Sequence, residues 1–279
     1  MKIGDNNYKL ILIDTNVIRE IIYNTNLSGN GFFKKFFGEG ILYAPCFSIY
    51  NAIELMPYKD IYDKFIDFFC TVPCLMFFPA KIIIQEEYKQ YLKGEALLIT
   101  NEIAIAFTPV IKNGCYNYRK FDDLMKHDLK LVDTIKNEII CLESIADSWQ
   151  KQRIDTKKLL ARINIPLDII DDRFYYDQEK QTIIKDLKNF GIMPKNEIDI
   201  SNLPSFRMME YSQFRRIHMT NKKISPNDVM DVTISCAAPY MDAVITESFQ
   251  ADVYKKAKKF IPQLKHLEIY TLKDIRLKK

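Results

Sequence analysis

Short apolar runs that end at polar residues alternate with amphipathic stretches over the first 80 residues. Three runs predict β-strands, at residues 8–13, 41–44 and 74–78. Apolar residues at helical spacing predict helices between them, at residues 17–23, 49–56 and 58–70. The second strand is expected to end at Pro45, and residues 24–31 to form a polar loop. This order predicts a parallel sheet covered by helices.

The pattern changes in the middle of the chain. Residues 81–192 contain long helical stretches and no convincing strand. The first pattern then resumes as a helix, a strand, a basic helix and a strand, at residues 226–238, 243–246, 250–260 and 267–271. We therefore predict an α/β domain interrupted by an all-helical insertion. Its expected parts are residues 1–110, the insertion 111–205, and residues 206–279.

Composition places the chain among ordinary globular proteins. It has 279 residues, of which 48% are hydrophobic and 27% charged, with a net charge of +4. Neither an N-terminal signal peptide nor an apolar run of about 20 residues is visible. We expect a cytoplasmic protein that does not enter a membrane.

The cysteines and histidines do not cluster as zinc ligands do. Six cysteines contain no C-x-x-C pair, and three histidines are scattered. Reduced, mostly buried thiols of a cytosolic protein are the better interpretation.

Four acidic residues belong to distant segments that a parallel sheet would bring to one edge. Asp14 ends the first strand, and Glu54 lies in the helix after the second. Asp231 lies in the helix before the 243–246 strand, and Glu247 follows that strand. Functional groups of α/β sheets collect beyond the carboxyl ends of the strands. Clustered carboxylates are ligands for Mg²⁺ or Mn²⁺, which would polarise a phosphodiester and activate water.

Each acidic residue also has a structural interpretation. Asp14 could only cap a helix, and Glu54 could be a solvated helix residue. Asp228 completes a capping box with Ser225. Asp242 precedes the strand that Glu247 follows, roughly 13 Å or more away, so the two cannot share one site. We interpret Asp242 as a turn residue.

The chain resembles the PIN-domain nucleases over residues 1–80 and 224–272. The resemblance rests on three segments, ILIDTNVI, NAIEL and DVTISCAAPYMDAVITES. It implies a flavodoxin-like α/β/α fold and Mg²⁺- or Mn²⁺-dependent cleavage of single strands, most often RNA. Asp14, Glu54 and Asp231 match the family's three acidic positions. The fourth acid corresponds to Glu247 or, in register, to Ser248.

Further residues are expected around the acidic group. Asn16, Asp228 and Ser248 are candidates for orienting the ligands. Four basic residues before and after His218 are candidate phosphate contacts: Arg215, Arg216, Lys222 and Lys223. The basic stretch 255–259 is expected to be a solvated helix face. The helical insertion could contact substrate, a regulatory protein or a second copy of the chain.

Three functions fit these observations. The first is a metal-dependent endonuclease, expected to act on single-stranded RNA. The second is a module that binds nucleic acid or protein without cutting. The third is a different metal-dependent phosphoesterase or a DNA nuclease on a related fold. Metal-dependent cleavage and its substrate preference would distinguish them.

Overall fold

A computed structural model describes residues 2–3, 6–37, 42–95, 97–107, 110–112, 115–117, 125, 129–166, 169–194 and 197–276. Its strands are β1 (Lys2–Ile3), β2 (Asn6–Asn7), β3 (Lys9–Ile13), β4 (Tyr43–Ser48), β5 (Cys74–Phe77), β6 (Ala104–Phe107), β7 (Val110–Lys112), β8 (Cys115–Asn117), β9 (Ala243–Thr246) and β10 (Glu268–Thr271).

The α-helices are α1 (Thr15–Tyr23), α2 (Asn30–Phe36), α3 (Ile49–Leu55), α4 (Lys59–Thr71), α5 (Ala80–Lys93), α6 (Leu129–Arg162), α7 (Asp172–Leu187), α8 (Pro204–His218), α9 (Pro226–Ile234), α10 (Ser248–Ala257) and α11 (Leu272–Ile275). Shorter helical segments are a π-helix at Thr25–Gly29 and 3₁₀ turns at Lys188–Phe190, Ile200–Asn202, Ser235–Tyr240 and Pro262–Leu264.

Six strands form one sheet in the order β10-β9-β3-β4-β5-β6. Every neighbouring pair is parallel except β5 and β6, which are antiparallel. β3 lies between β4 and β9, and the side chains of β4, β5 and β9 are buried throughout. Continuous apolar runs are typical of parallel strands covered on both faces. The predicted mostly parallel α/β sheet is confirmed.

The helices that cover the sheet form two groups of contacts, which α3 connects. α1, α3 and α4 pack together, and α3 also contacts α6 and α9. In the second group α8 contacts five other helices: α5, α6, α7, α9 and α10. This arrangement is compatible with a three-layer α/β/α organisation. None of the described helices combines the length and apolar character needed to cross a bilayer.

Two sequence predictions about strands are wrong. β6 lies where no strand was expected, and the β7–β8 hairpin lies at the start of the predicted all-helical insertion. A short apolar run cannot be distinguished from part of a helix by periodicity alone, and these runs adjoin long helical patterns. β4 also continues through Pro45. Pro45 lies opposite Ile11 of β3, whereas the pairing of β4 with β5 begins only at Cys46, so the proline is at the margin of pairing on the β5 side alone.

The expected polar loop at residues 24–31 is instead helical. The Asn24 carbonyl accepts hydrogen bonds from the backbone N–H groups of Leu27, Ser28 and Gly29. A Cβ atom at Gly29 would lie 2.9 Å from the Ile21 carbonyl oxygen. Glycine therefore allows this turn to pack closely on α1, a tertiary constraint that polarity alone does not reveal.

Buried charged residues hold both ends of α8. At its N-terminus the Glu87 carboxylate accepts hydrogen bonds from the backbone of Ser205 and Phe206, at 2.9 and 3.3 Å. Beyond its C-terminus the Arg153 guanidinium donates to the carbonyls of Arg216 and Ile217, both at 2.6 Å. Because α6 supplies Arg153, the helical middle of the chain fixes the end of α8.

We expect Arg153→Met to lower the free energy of unfolding by about 2–4 kcal/mol. Methionine fills a similar volume but leaves the α8 carbonyls without their buried donor. Urea unfolding followed by circular dichroism measures the difference. Lys151→Met, an exposed change on the same helix, is the control and should shift stability by under about 0.5 kcal/mol. Equal stabilities of the two variants would contradict this account of α8.

Candidate functional site at the carboxyl edge of the sheet

Asp14 joins the end of β3 to the start of α1. Its carboxylate caps α1 by accepting a hydrogen bond from the Asn16 N–H at 3.0 Å. The other carboxylate oxygen accepts from the Thr246 hydroxyl at 2.7 Å. The Asp14 N–H donates to the Ile245 carbonyl at 3.0 Å. The predicted capping role is confirmed, and the contact with Thr246 fixes the carboxylate at the end of β9.

A buried amide organises the neighbouring strand end. Asn51 forms a capping box with Ser48 at the start of α3. Its side-chain nitrogen also donates to the Thr15 hydroxyl at 2.9 Å. This network ties the start of α3 to the start of α1. It thereby sets the position of Glu54, which lies three residues further along α3 and is half-buried.

Asp231 lies on α9 beside an arginine from α8. The predicted capping box of Ser225 and Asp228 starts α9, and Asp231 follows one turn later. The Arg216 guanidinium bridges both acids, at 2.9 Å from Asp228 Oδ1 and 3.1 Å from Asp231 Oδ2. The same guanidinium lies 4.3 Å from the ring centre of Phe249. Arg216 is therefore held on three sides and orients Asp231.

Asp14 and Asp231 line one small cavity. Its volume is about 10 Å³, enough for about one water-sized species. The remaining lining residues come mainly from β3, α9, β9 and α10: Leu12, Ile234, Val244, Ile245, Thr246, Gln250 and Tyr254. Two carboxylates from opposite ends of the sequence thus meet at the carboxyl edge of the sheet, as its topology predicts.

Both carboxyl groups of the cavity resist ionisation. Burial raises the pKa of Asp14 to about 6, and the charges of Glu247 and Glu54 contribute. Burial and the charge of Asp14 raise the pKa of Asp231 well above its ordinary value, although Arg216 opposes this shift. Burial and then the charge of Asp14 raise the pKa of Tyr254. Ionisation of both carboxyl groups would therefore be unfavourable in the cavity, and a bound cation would offset that cost.

Glu54 and Glu247 do not line the cavity, although their charges contribute to the raised pKa of Asp14. The Asn227 side chain donates to Glu54 at 3.4 Å, and the Asn16 side chain donates to Glu247 at 2.6 Å. Glu247 is exposed, and Ser248 is the first residue of α10. Asn16 therefore links α1 to the end of β9 instead of only capping its own helix.

The residues present fit a hard divalent cation with few protein ligands. Among the described side chains, no group of three or more His, Cys, Asp or Glu residues is arranged to hold a metal ion alone. Mg²⁺ is commonly held by one or two carboxylates while waters and substrate phosphates complete its coordination. Asp14 and Asp231 satisfy that pattern.

The expected basic contacts separate into two pairs. Arg215 and Arg216 are buried, and Arg215 is held between Asp172 and Asp252 at 3.0 and 2.8 Å. These ion pairs favour structural roles for both arginines, because their guanidinium groups are already bound to carboxylates. Lys222 and Lys223 are exposed beside the start of α9. Lys222 lies 3.8 Å from Asp228 Oδ1, a long ion pair at the surface that a phosphate can replace, so both lysines remain candidate phosphate contacts.

Two other sequence interpretations agree with the geometry. Asp242 lies at the opposite end of β9, where its carboxylate accepts the Leu10 N–H at 2.7 Å, so it is separated from Glu247. Five cysteines are free thiols: Cys46, Cys70, Cys74, Cys141 and Cys236. All of these except Cys141 are buried, and the side chain of Cys115 lies outside the described residues.

Sequence reasoning missed several residues of the site. The Ser48-x-x-Asn51 spacing signals a capping box, but not the bond from Asn51 to α1. Gln250 and Tyr254 are four residues apart on α10, a spacing that shares one helix face. No signal in the sequence indicates that Arg216 pairs with Asp231, because that contact depends on how α8 packs against α9.

Comparison of the chain with protein-family models, with curated proteins and with solved structures finds no match.

Proposed function

We propose that the chain is a PIN-like, Mg²⁺- or Mn²⁺-dependent nuclease that cleaves single-stranded nucleic acid, in the first instance RNA. One observation carries the proposal: Asp14 and Asp231 line one cavity at the carboxyl edge of the sheet, where burial raises the pKa of both carboxyl groups and the charge of Asp14 adds to the shift of Asp231. The motif order around Asp14, Glu54 and Asp231 supports the PIN-like assignment.

Each residue then has a defined part in the reaction. Asp14 and Asp231 would bind the ion, while Thr246 and Arg216 hold their carboxylates in place. The bound ion would polarise the phosphodiester and lower the pKa of a water molecule. Glu247 is exposed beside Asn16, where its carboxylate can accept a proton from attacking water.

The substrate would be bound mainly through its phosphates. Lys222 and Lys223 are exposed next to the helix that carries Asp231, and their ammonium groups can reach an incoming phosphate chain. Such contacts position a strand without selecting its bases. Binding should therefore weaken as the salt concentration rises.

A cleavage assay tests the proposal. Purified protein is incubated with labelled single-stranded RNA, single-stranded DNA and duplex DNA, each with Mn²⁺ or with EDTA. We expect Mn²⁺-dependent internal cuts in single-stranded RNA and none with EDTA. Preferential cutting of DNA would instead support the DNA nuclease. Binding of RNA without cutting would support the binding module.

A further inference from the structure

A second cavity lies among α6, α7 and α8, apart from the acidic site. Its volume is about 630 Å³, within the range of small-molecule sites in proteins. α8 separates the two places. On one side of α8, Ser212 contacts Gln250 and Arg216 contacts Asp231, both of which line the acidic site. On the other side, Gln213, Phe214 and Ile217 line the second cavity. We call this space the helical cavity.

Aromatic rings supply flat walls to the helical cavity. Trp149 comes from α6, Phe174 from α7 and Phe214 from α8. Phe174 lines the cavity and is nevertheless 44% exposed. The ring centres of Tyr175 and Phe214 are 5.0 Å apart. Exposed rings beside a concave space are suited to stacking on another planar group.

Hydrogen-bonding groups lie between these rings. Side-chain amides come from all three helices, as Gln152, Gln178 and Gln213. Each amide carries a donor and an acceptor side by side. Paired donors and acceptors on one plane match the edges of nucleobases, which present the same alternation.

A buried acid adds an acceptor. Glu210 lines the cavity, is only 4% exposed, and shares a hydrogen bond with the Asp186 carboxyl group. Burial and then the charge of Asp186 raise the pKa of Glu210 well above its ordinary value. Because one oxygen of Glu210 is engaged with Asp186, its other oxygen can accept a hydrogen bond from an N–H group of a ligand.

We propose that the helical cavity binds a nucleobase, stacked on its aromatic walls and hydrogen-bonded by its amides and by Glu210. Lys185, exposed at the cavity rim, would contact the attached phosphate. The base belongs either to a free mononucleotide or to a single strand bound across the protein. This inference does not depend on cleavage, because the helical cavity shares no lining residue with the acidic site.

The only tryptophan of the chain lines this cavity, so its fluorescence reports directly on occupancy. The Asp14→Asn protein, excited at the red edge of tryptophan absorption, is titrated with AMP, GMP, CMP and UMP and separately with a single-stranded RNA oligomer. Saturable quenching by a mononucleotide identifies a free nucleotide as the ligand. Quenching by the oligomer alone identifies a base of a bound strand.

Phe174→Ala and the matched Phe33→Ala complete the experiment. Both phenylalanines are partly exposed, at 44% and 38%, but only Phe174 lines the helical cavity. We expect Phe174→Ala to weaken binding about tenfold, since stacking on an aromatic ring contributes substantially to base binding. Phe33→Ala should leave binding unchanged. Absence of quenching by every mononucleotide and by the oligomer would overturn the proposal, as would unaltered binding in Phe174→Ala.

Discussion

Asp14→Asn should reduce Mn²⁺-dependent cleavage of single-stranded RNA by a factor on the order of 10²–10³ or more. Asparagine keeps the size of the side chain and an oxygen that can still cap α1, while its NH₂ group takes the place of the second oxygen and can donate to the Thr246 hydroxyl. It removes the negative charge that binds the cation. The fold should therefore persist while the reaction is lost, and initial rates of oligonucleotide cleavage measure the difference.

Asp67→Asn is the matched control for this substitution. Asp67 is exposed on α4, and the same chemical change there should leave the cleavage rate within about twofold of wild type. Asp231→Asn should resemble Asp14→Asn, because both carboxylates line the same cavity. Cleavage by Asp14→Asn at the wild-type rate would show that the acidic cavity is not the reaction centre.

Mn²⁺ should raise the thermal stability of the wild-type protein at pH 7.5 and leave Asp14→Asn almost unchanged. A ligand at about 100 times its Kd stabilises the folded state by about 2.7 kcal/mol. In a chain of this size that corresponds to a rise in Tm of roughly 5 °C or more. Scanning calorimetry with and without Mn²⁺ measures the shift, and Asp67→Asn should behave as wild type.

The pH dependence of this stabilisation follows from the pKa of Asp14. That pKa is raised from an ordinary value of 3.8 to about 6, so the folded protein binds a proton more tightly than the unfolded chain. Without metal, this favourable contribution is complete below about pH 4 and is lost as the pH rises through 6. Mn²⁺ should therefore stabilise the protein strongly at pH 7.5 and weakly at pH 5. Equal shifts at both pH values would contradict binding at Asp14.

The parallel sheet was predictable because its strands coincide with short apolar runs that end at a polar residue or a proline. Asp14 shows the strength of this signal. Its place at the end of a strand predicts both that it caps α1 and that it lies at the carboxyl edge of the sheet. β6 was not predicted, because its short apolar run adjoins long helical patterns and periodicity alone does not distinguish such a run from part of a helix. The helix at 30–36 was missed because Gly29 suits a loop equally well until its contact with Ile21 is known.

The candidate site was predictable only as far as strand topology determines it. Topology brings Asp14 and Asp231 to one edge, but the packing of α8 decides what surrounds them. Arg216 was expected at the surface beside a phosphate, and it is instead buried between Asp228 and Asp231. A run of basic residues in a sequence does not show which of them point inward. That choice depends on acids in helices that are far away along the chain.

Direct measurement of Mn²⁺ binding tests the central claim that Asp14 and Asp231 share a cation. Electron paramagnetic resonance of free Mn²⁺, titrated with protein at pH 7.5, gives the stoichiometry and the Kd without any substrate. We expect at least one bound ion per chain in the wild-type protein and in the Asp67→Asn variant. The Asp14→Asn and Asp231→Asn variants should each bind Mn²⁺ with much lower affinity. Unchanged Mn²⁺ affinity in those two variants would contradict a metal centre at the carboxyl edge of the sheet.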